Sequence, residues 1–313
     1  MKLALAGDTM LGRGVGERVA TNGPDSLFAP ELVAAVREAD LCVLNLECCI
    51  SERGAPASGG GFHFRAPAAS AEALAGLGVD CVTLANNHAL DFGPNALLDT
   101  FAHLESAGIA WVGAGPDLDQ ARAPAVLEAG GYRLGVIAAA DHPADYAAAP
   151  GRPGIAFADL RRRDTPDWLL EAIQGLDADA ILVTPHWGPN MVAEPAAHVR
   201  AAARALLEAG ATVIAGHSAH VFHGLDRRVL YDLGDFLDDY VVDPKLRNDL
   251  GLLFLVDLAG IRLEAIPLKL EFAHTRLADR DDFAWVRHRF RAACAPFGTD
   301  VAEEDGRLVA SWR

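Results

Sequence analysis

Five times along the chain, a short apolar run ends in side chains able to bind a metal ion or move a proton. The first run ends in Gly7-Asp8-Thr9-Met10-Leu11-Gly12-Arg13 and the second in Asn45-Leu46-Glu47. The third ends in Asn86-Asn87-His88-Ala89-Leu90-Asp91. Two later runs end in Thr184-Pro185-His186-Trp187-Gly188 and Gly216-His217-Ser218-Ala219-His220. Taken singly, each has a plain structural explanation. An Asp after a strand caps a helix, paired Asn residues make turns, and a lone His packs or hydrogen-bonds. Five independent runs ending in Asp, Glu, Asn and His are hard to obtain from caps and turns alone. The donors are hard or borderline, which suits Mn, Fe, Zn, Mg or Ca rather than Cu(I).

The elements that must carry these residues follow from periodicity. The pattern predicts strands at Lys2–Ala6, Leu41–Leu46, Cys81–Ala85, Ile109–Val112, Arg133–Ala139, Ala180–Thr184 and Thr212–Ala215. Amphipathic stretches predict helices at Pro30–Glu38, Ala68–Leu77, Pro94–Ser106, Pro166–Gln174 and Ala196–Glu208. Alternation of strand and helix argues for an α/β layered fold. In such folds ligands bind beyond the carboxyl ends of the strands, where the polar residues gather. After about residue 227 the pattern changes to consecutive strands at Val229–Asp232, Leu252–Leu258 and Ile261–Lys269, with a closing helix at Asp281–Ala293. The segment Asp141–Asp164, rich in Pro, Gly and Ala, reads as a long loop, and Gly59-Gly60-Gly61 as a flexible one.

Composition bounds the partners. The chain has 313 residues, 51% hydrophobic and 22% charged, which fits a globular protein with an ample core. Its 43 acidic against 27 basic residues give a net charge of −16, which repels nucleic acid and anionic membrane surfaces. No run approaches the roughly 18 apolar residues of a membrane span. The five cysteines include no CxxC pair, and the expectation is a reduced cytoplasmic protein.

The segments GDTMLGR (7–13), NLE (45–47), FRAP (64–67), NNHALDFG (86–93), HWG (186–188), GHSAHV (216–221) and YDLGDF (231–236) resemble the calcineurin-like metallophosphoesterase superfamily. Within it they most resemble the CapA branch, named for poly-γ-glutamate capsule synthesis. The resemblance implies an α/β sandwich of two β-sheets flanked by helices, with two divalent metal ions at the strand edge. The expected organisation is one core over residues 1–272, with a C-terminal helical extension over 273–313 packed on the same domain.

Carried over by motif, Asp8 would bind the first metal, and Glu47 stands where the superfamily has a bridging aspartate. Asn87, His186 and His217 would bind the second metal, and His220 would return to the first. His88 would be the acid/base residue, with Asp91 orienting it. Arg13 and Arg65 would hold an anionic group on the substrate. His142, His223 and Asp235 are candidates for a second acid or base, and Trp187 for stacking on the substrate. The chain departs from the family pattern at Met10, where the superfamily has a histidine. It departs again at His217-x-x-His220, which replaces His-x-His, and at Asp232 and Asp235 in the later motif.

Three functions fit these residues. The first is hydrolysis of a phosphoester or a peptide or γ-glutamyl amide. The second is cofactor-free epimerisation of a ribosomal, lasso-type peptide, in which the metals stabilise an enolate. The third is a non-catalytic accessory role in polymer synthesis. The expected partner is a small molecule or peptide, an anionic one included.

Overall fold

The computed structural model describes residues 1–58, 61–162, 164–260 and 262–311. Gly59 and Gly60 of the expected glycine loop, and Ile261 at the start of an expected strand, lie outside the described residues. Two sheets carry the fold. In the first, the strands Lys2–Thr9, Leu41–Leu46, Cys81–Thr83 and Ala110–Val112 run parallel in that order. On the other side of Lys2–Thr9 the sheet turns antiparallel through Leu250–Asp257 and Arg262–Glu271. The second sheet places Tyr132–Ala140, Ala180–His186, Val213–Ala215 and Val229–Leu230 in parallel. Ala125–Ala129 pairs antiparallel on its edge.

Strand alternation explains the layers. Along Tyr132–Ala140, Leu134, Val136, Ala138 and Ala140 join the core shared with the first sheet. The intervening Ile137 and Ala139 join a second core under the helices Asp167–Gln174 and Ala197–Ala209. The strand Ala180–His186 is buried at every position, as a parallel strand covered on both faces must be. The helices Pro30–Val36, Ala69–Leu77 and Pro94–Ser106 contribute to the larger core with the first sheet. The result is the sandwich of two sheets flanked by helices that the sequence implies.

Three features depart from the sequence expectations. The helix Arg13–Asn22 is absent from the expected helices. Its N-terminal glycine offers no side-chain cap and its first turn holds no acid. It is held from outside instead, by Asp239, whose Oδ2 accepts the Gly14 amide at 3.0 Å. Asp235–Leu237 forms a short strand beside the end of Lys2–Thr9, in the register Asp8↔Asp235. Finally, the C-terminal extension is not purely helical. Its expected helix spans Arg280–Cys294, with Asp279 capping the Asp281 and Asp282 amides at 3.0 Å. His274–Leu277, Arg307–Ser311 and Val301–Glu304 add strands to the first sheet. The boundary at 272/273 falls in the tight turn between Arg262–Glu271 and His274–Leu277, so the extension continues the sheet.

The strand edge tolerates no bulk at Gly7. A Cβ there would lie 1.8 Å from the Gly234 carbonyl oxygen. That carbonyl accepts the Asp8 amide at 2.9 Å, and Gly234 itself has φ +75°. Gly7→Ala is expected to lower stability by about 1–3 kcal/mol through this overlap. Urea unfolding of the variant against the parent checks it, and an unchanged midpoint would show that the turn yields freely.

Candidate metal centre

The site is built where both sheets end. From the first sheet come Asp8, Asn45 and Glu47, which follow buried strand residues and are themselves buried. From the second come His186, the last residue of its strand, and the turn His217–His220. An isolated parallel bridge pairs His186 with His217 and aligns these two strand ends. The turn is in unusual backbone: Ser218 has φ +111° and His220 φ +59°. Non-glycine residues hold such angles only when their surroundings impose them. Here Asp232 imposes them, accepting the Ala219 amide at 2.7 Å and the Gly234 amide at 2.9 Å.

One oxygen or nitrogen from each of Asp8, Glu47 and His220 lies within 4.8 Å of the others. These are the residues that the family motif places around the first metal. Glu47 sits between this group and a second one. Its Oε1 lies 4.0 Å from His186 Nε2 and 3.9 Å from His88 Nε2. Both Glu47 oxygens are buried without a hydrogen-bond partner among the described residues. Asn87 Oδ1 and His186 Nδ1 are orphaned in the same way. Buried acceptors are ordinarily satisfied, so the two unpartnered Glu47 oxygens beside Asp8 and His220 fit a cation. His217 Nδ1 lies 2.9 Å from Asp8 Oδ1 and His220 Nδ1 2.8 Å from Asp235 Oδ1. Each ring thus keeps Nε2 free of that partner, the arrangement carboxylates impose on metal-binding imidazoles.

Electrostatics points the same way. Burial and the Asp8 charge push the Glu47 carboxyl well above its ordinary range. Burial, with Asp238 and Asp8, does the same at Asp235, and burial lifts Asp238 to about 6. Burial opposes ionisation of Asp8 as well. There the His217 hydrogen bond and the neighbouring imidazoles prevail and hold it low. Burial drives His186 well below the usual imidazole range, so it is neutral and able to donate its lone pair. A crowd of buried carboxylates beside neutral imidazole is what a divalent ion would stabilise.

His88 and Asp91 meet as the motif spacing predicts. His88 Nδ1 lies 2.7 Å from Asp91 Oδ2, which also accepts the Phe64 amide at 2.7 Å. The His88 ring packs against Phe64 with centroids 4.4 Å apart. A second such pair lies beside His186. His142 Nδ1 is hydrogen-bonded to the buried Asp141, and its ring centroid lies 5.4 Å from that of His186.

Several expected site residues are engaged elsewhere. Arg65 donates to the Arg53 and Gly54 carbonyls at 3.2 and 3.3 Å and stacks over Phe92. Trp187 is buried, its indole N–H donating to the Tyr231 carbonyl at 2.8 Å, so it packs in the helix-side core. His223 bonds the Val192 carbonyl at 2.9 Å through Nε2. Asp235 orients His220. Arg13 reaches the site, but Asp239 grips it at 3.2 Å to Nε and 2.9 Å to Nη2. Met10, which stands where the superfamily has a histidine, is buried, and its sulfur accepts the Gly12 amide at 3.1 Å.

Sequence reasoning notes Asn45, Asn86 and Asp232 but gives them no role. Asn45 Nδ2 donates to Asp8 Oδ1 at 2.8 Å. Asn86 Nδ2 donates to Asn45 Oδ1 at 3.0 Å, and Asn86 Oδ1 accepts the His88 amide at 3.1 Å. The signal for Asn45 is its place two residues before Glu47, which in a strand shares a face.

Burial also makes the fold pH-dependent at His223, whose imidazole it pushes down to about 4. Below pH 6.5 the unfolded chain takes up this proton and the folded chain does not, so stability falls as pH drops from about 6.5 to about 4. Between pH 7 and 5 this one group is expected to remove about 2 kcal/mol. Urea midpoints for the parent and His223→Gln check it, the variant showing the smaller loss. An identical pH slope in both would refute it.

The family profile "Bacterial capsule synthesis protein PGA_cap" matches residues 2–240. A Mycobacterium tuberculosis protein called "Probable polyglutamine synthesis accessory protein" is 33% identical over 292 residues, covering 86% of this chain and 76% of its own. "Capsule biosynthesis protein CapA" of Bacillus anthracis is 26% identical, covering 87% of this chain and 68% of its own. Among solved structures, a hypothetical protein from Thermus thermophilus is similar at TM-score 0.46 and 19% identity, over 88% of this chain and 96% of that one. No helix among the described residues is long and apolar enough to cross a membrane. The chain belongs to the bacterial capsule synthesis protein family PGA_cap, of the calcineurin-like metallophosphoesterase superfamily.

Proposed function

We propose that this chain is a divalent-metal-dependent hydrolase of a phosphoester or of a peptide or γ-glutamyl amide. The observation that carries the reading is Glu47, buried with both oxygens unpartnered among the described residues, between the Asp8–His220 pair and His186. Asp8, Glu47 and His220 would hold one ion, and Glu47, Asn87, His186 and His217 a second. Bound there, divalent ions supply Lewis-acid polarisation of a phosphoryl or acyl oxygen and acidify water. His88 delivers a proton to the leaving group from Nε2, because Asp91 holds Nδ1. Asn45 and Asn86 keep Asp8 and His88 in register. The names of the relatives, an accessory protein of polymer synthesis and a capsule biosynthesis protein, favour a polymer or its linkage as the substrate's setting.

One observation favours a second reading, peptide epimerisation. The His142–Asp141 pair gives the site a second imidazole, apart from His88–Asp91, as removal and return of a Cα proton from two faces requires. Deuterium appearing at one Cα of a peptide in D₂O, without fragments, would mark it.

For the hydrolase, Mn²⁺-loaded protein is expected to hold about two ions per chain and to release phosphate or p-nitroaniline from simple esters or γ-glutamyl anilides. His88→Ala is expected to lower turnover about 10²–10⁴-fold with metal content unchanged. Fewer than about one ion per chain after Mn²⁺ loading would overturn the metal centre. Metal loss in His88→Ala would make His88 a ligand instead.

A further inference from the structure

Seven large apolar side chains are exposed among the described residues, and three of them, Phe62, Met191 and Val241, line one cavity, whereas Leu98 and Val126 lie outside it. Phe62 and Val241, 73% and 91% exposed, line a single cavity of about 370 Å³ together with Met191. Val242, also exposed, follows Val241 in sequence, and the exposed Phe272 ring lies against Gly14, the residue after Arg13. Exposed apolar surface gathered in one place on an otherwise polar protein marks a contact site.

The cavity opens onto the chemistry. His88 and His220 form part of its lining. Phe64, tilted against His88, and Tyr240, edge-on to His220 at 5.5 Å, continue the apolar wall down to those rings. Among the described residues, Arg13 is the one of permanent charge in the lining. Its guanidinium is already neutralised by Asp239, and its face lies 5.0 Å from the centre of the Phe62 ring. A carboxylate placed in this cavity would find that cation already paired and would meet Asp239 behind it. The volume suits a group of one or two side chains.

We propose that this cavity is a subsite for an apolar group, aromatic or branched aliphatic, carried by the substrate next to the bond or centre acted on at His88 and His220. The proposal rests on the reading of that site as the place of reaction, and it narrows the substrate: the group beside the reacting centre is apolar rather than a run of free carboxylates. Arg13 then serves as a planar, charge-satisfied wall for that group, not as an anion clamp.

The test uses the full chain in two arms. In the first, metal-free protein is titrated with the neutral fluorophore N-phenyl-1-naphthylamine. Saturable binding is expected, weakened about tenfold in Phe62→Ser/Val241→Ser. It should be unaffected in Val126→Ser, which alters an exposed apolar residue outside this cavity. No binding, equal binding by the double variant, or equal weakening by Val126→Ser would overturn the subsite. In the second arm, Mn²⁺-loaded protein is titrated calorimetrically with benzylphosphonate and phosphonoacetate, which share a headgroup and differ in tail. The benzyl compound is expected to bind about tenfold more tightly, and less so in Phe62→Ser/Val241→Ser. Phosphonoacetate binding equally or more tightly would overturn the proposal. Failure of the metal reading has a different signature: neither phosphonate binds, while the naphthylamine still does so in a Phe62- and Val241-dependent manner, which sustains the subsite. Both substituted residues are exposed, and thermal melting confirms that the variants fold.

Discussion

One buried carboxylate ties the two sheets together at the edge where the site forms. Asp8 ends a strand of the first sheet and accepts Asn45 Nδ2 from the neighbouring strand at 2.8 Å. It also meets His217 Nδ1 at 2.9 Å and the Ser218 amide at 3.3 Å, both from the second sheet. Taking a carboxylate out of water is costly unless donors surround it. The donors that satisfy Asp8 are therefore fixed in place by it. Gly7 and Gly234 allow the close backbone approach that brings this carboxylate to the turn. Asp232 then holds the His217–His220 turn in backbone angles it would not adopt alone.

That arrangement leaves charge to be balanced. Burial, joined by the charge of Asp8 and neighbouring carboxylates, opposes ionisation of Glu47 and Asp235, and burial raises Asp238. Arg13 does not relieve it, because Asp239 already neutralises that guanidinium. On the proposed metal-dependent reading, bound cations rather than protein arginines would hold an anionic group. Beyond the polar floor the environment changes sharply to Phe62, Phe64, Tyr240 and Val241. The site is polar where bonds would break and apolar where a substrate would be recognised.

Much of this was legible before folding. The parallel strands follow from short, fully apolar runs, and burial on both faces is the reason such runs are apolar. Pro94–Ser106 ends where its periodicity does. His88 and Asp91 pair because three residues bring them within reach in the turn after a strand. The helix Arg13–Asn22 was hidden because its support, Asp239, lies 225 residues beyond Gly14. The strand Asp235–Leu237 was hidden because two or three residues carry no period. Arg65, Trp187 and His223, expected at the substrate, each hydrogen-bond a backbone carbonyl, and those partners lie 11 or more residues away, where no local pattern records them.

The sequence by itself determined the kinds of atoms at the site and the strand ends that deliver them, because a period of two and a terminal turn are local properties. It also determined the family. Only the tertiary structure decided which donors converge, which side chains are left unpartnered, and which charges cancel. Glu47 is orphaned, Arg13 is spent on Asp239, and Phe62 and Val241 share one cavity. These outcomes depend on residues far apart in the chain competing for the same few ångströms, and no local pattern records who wins.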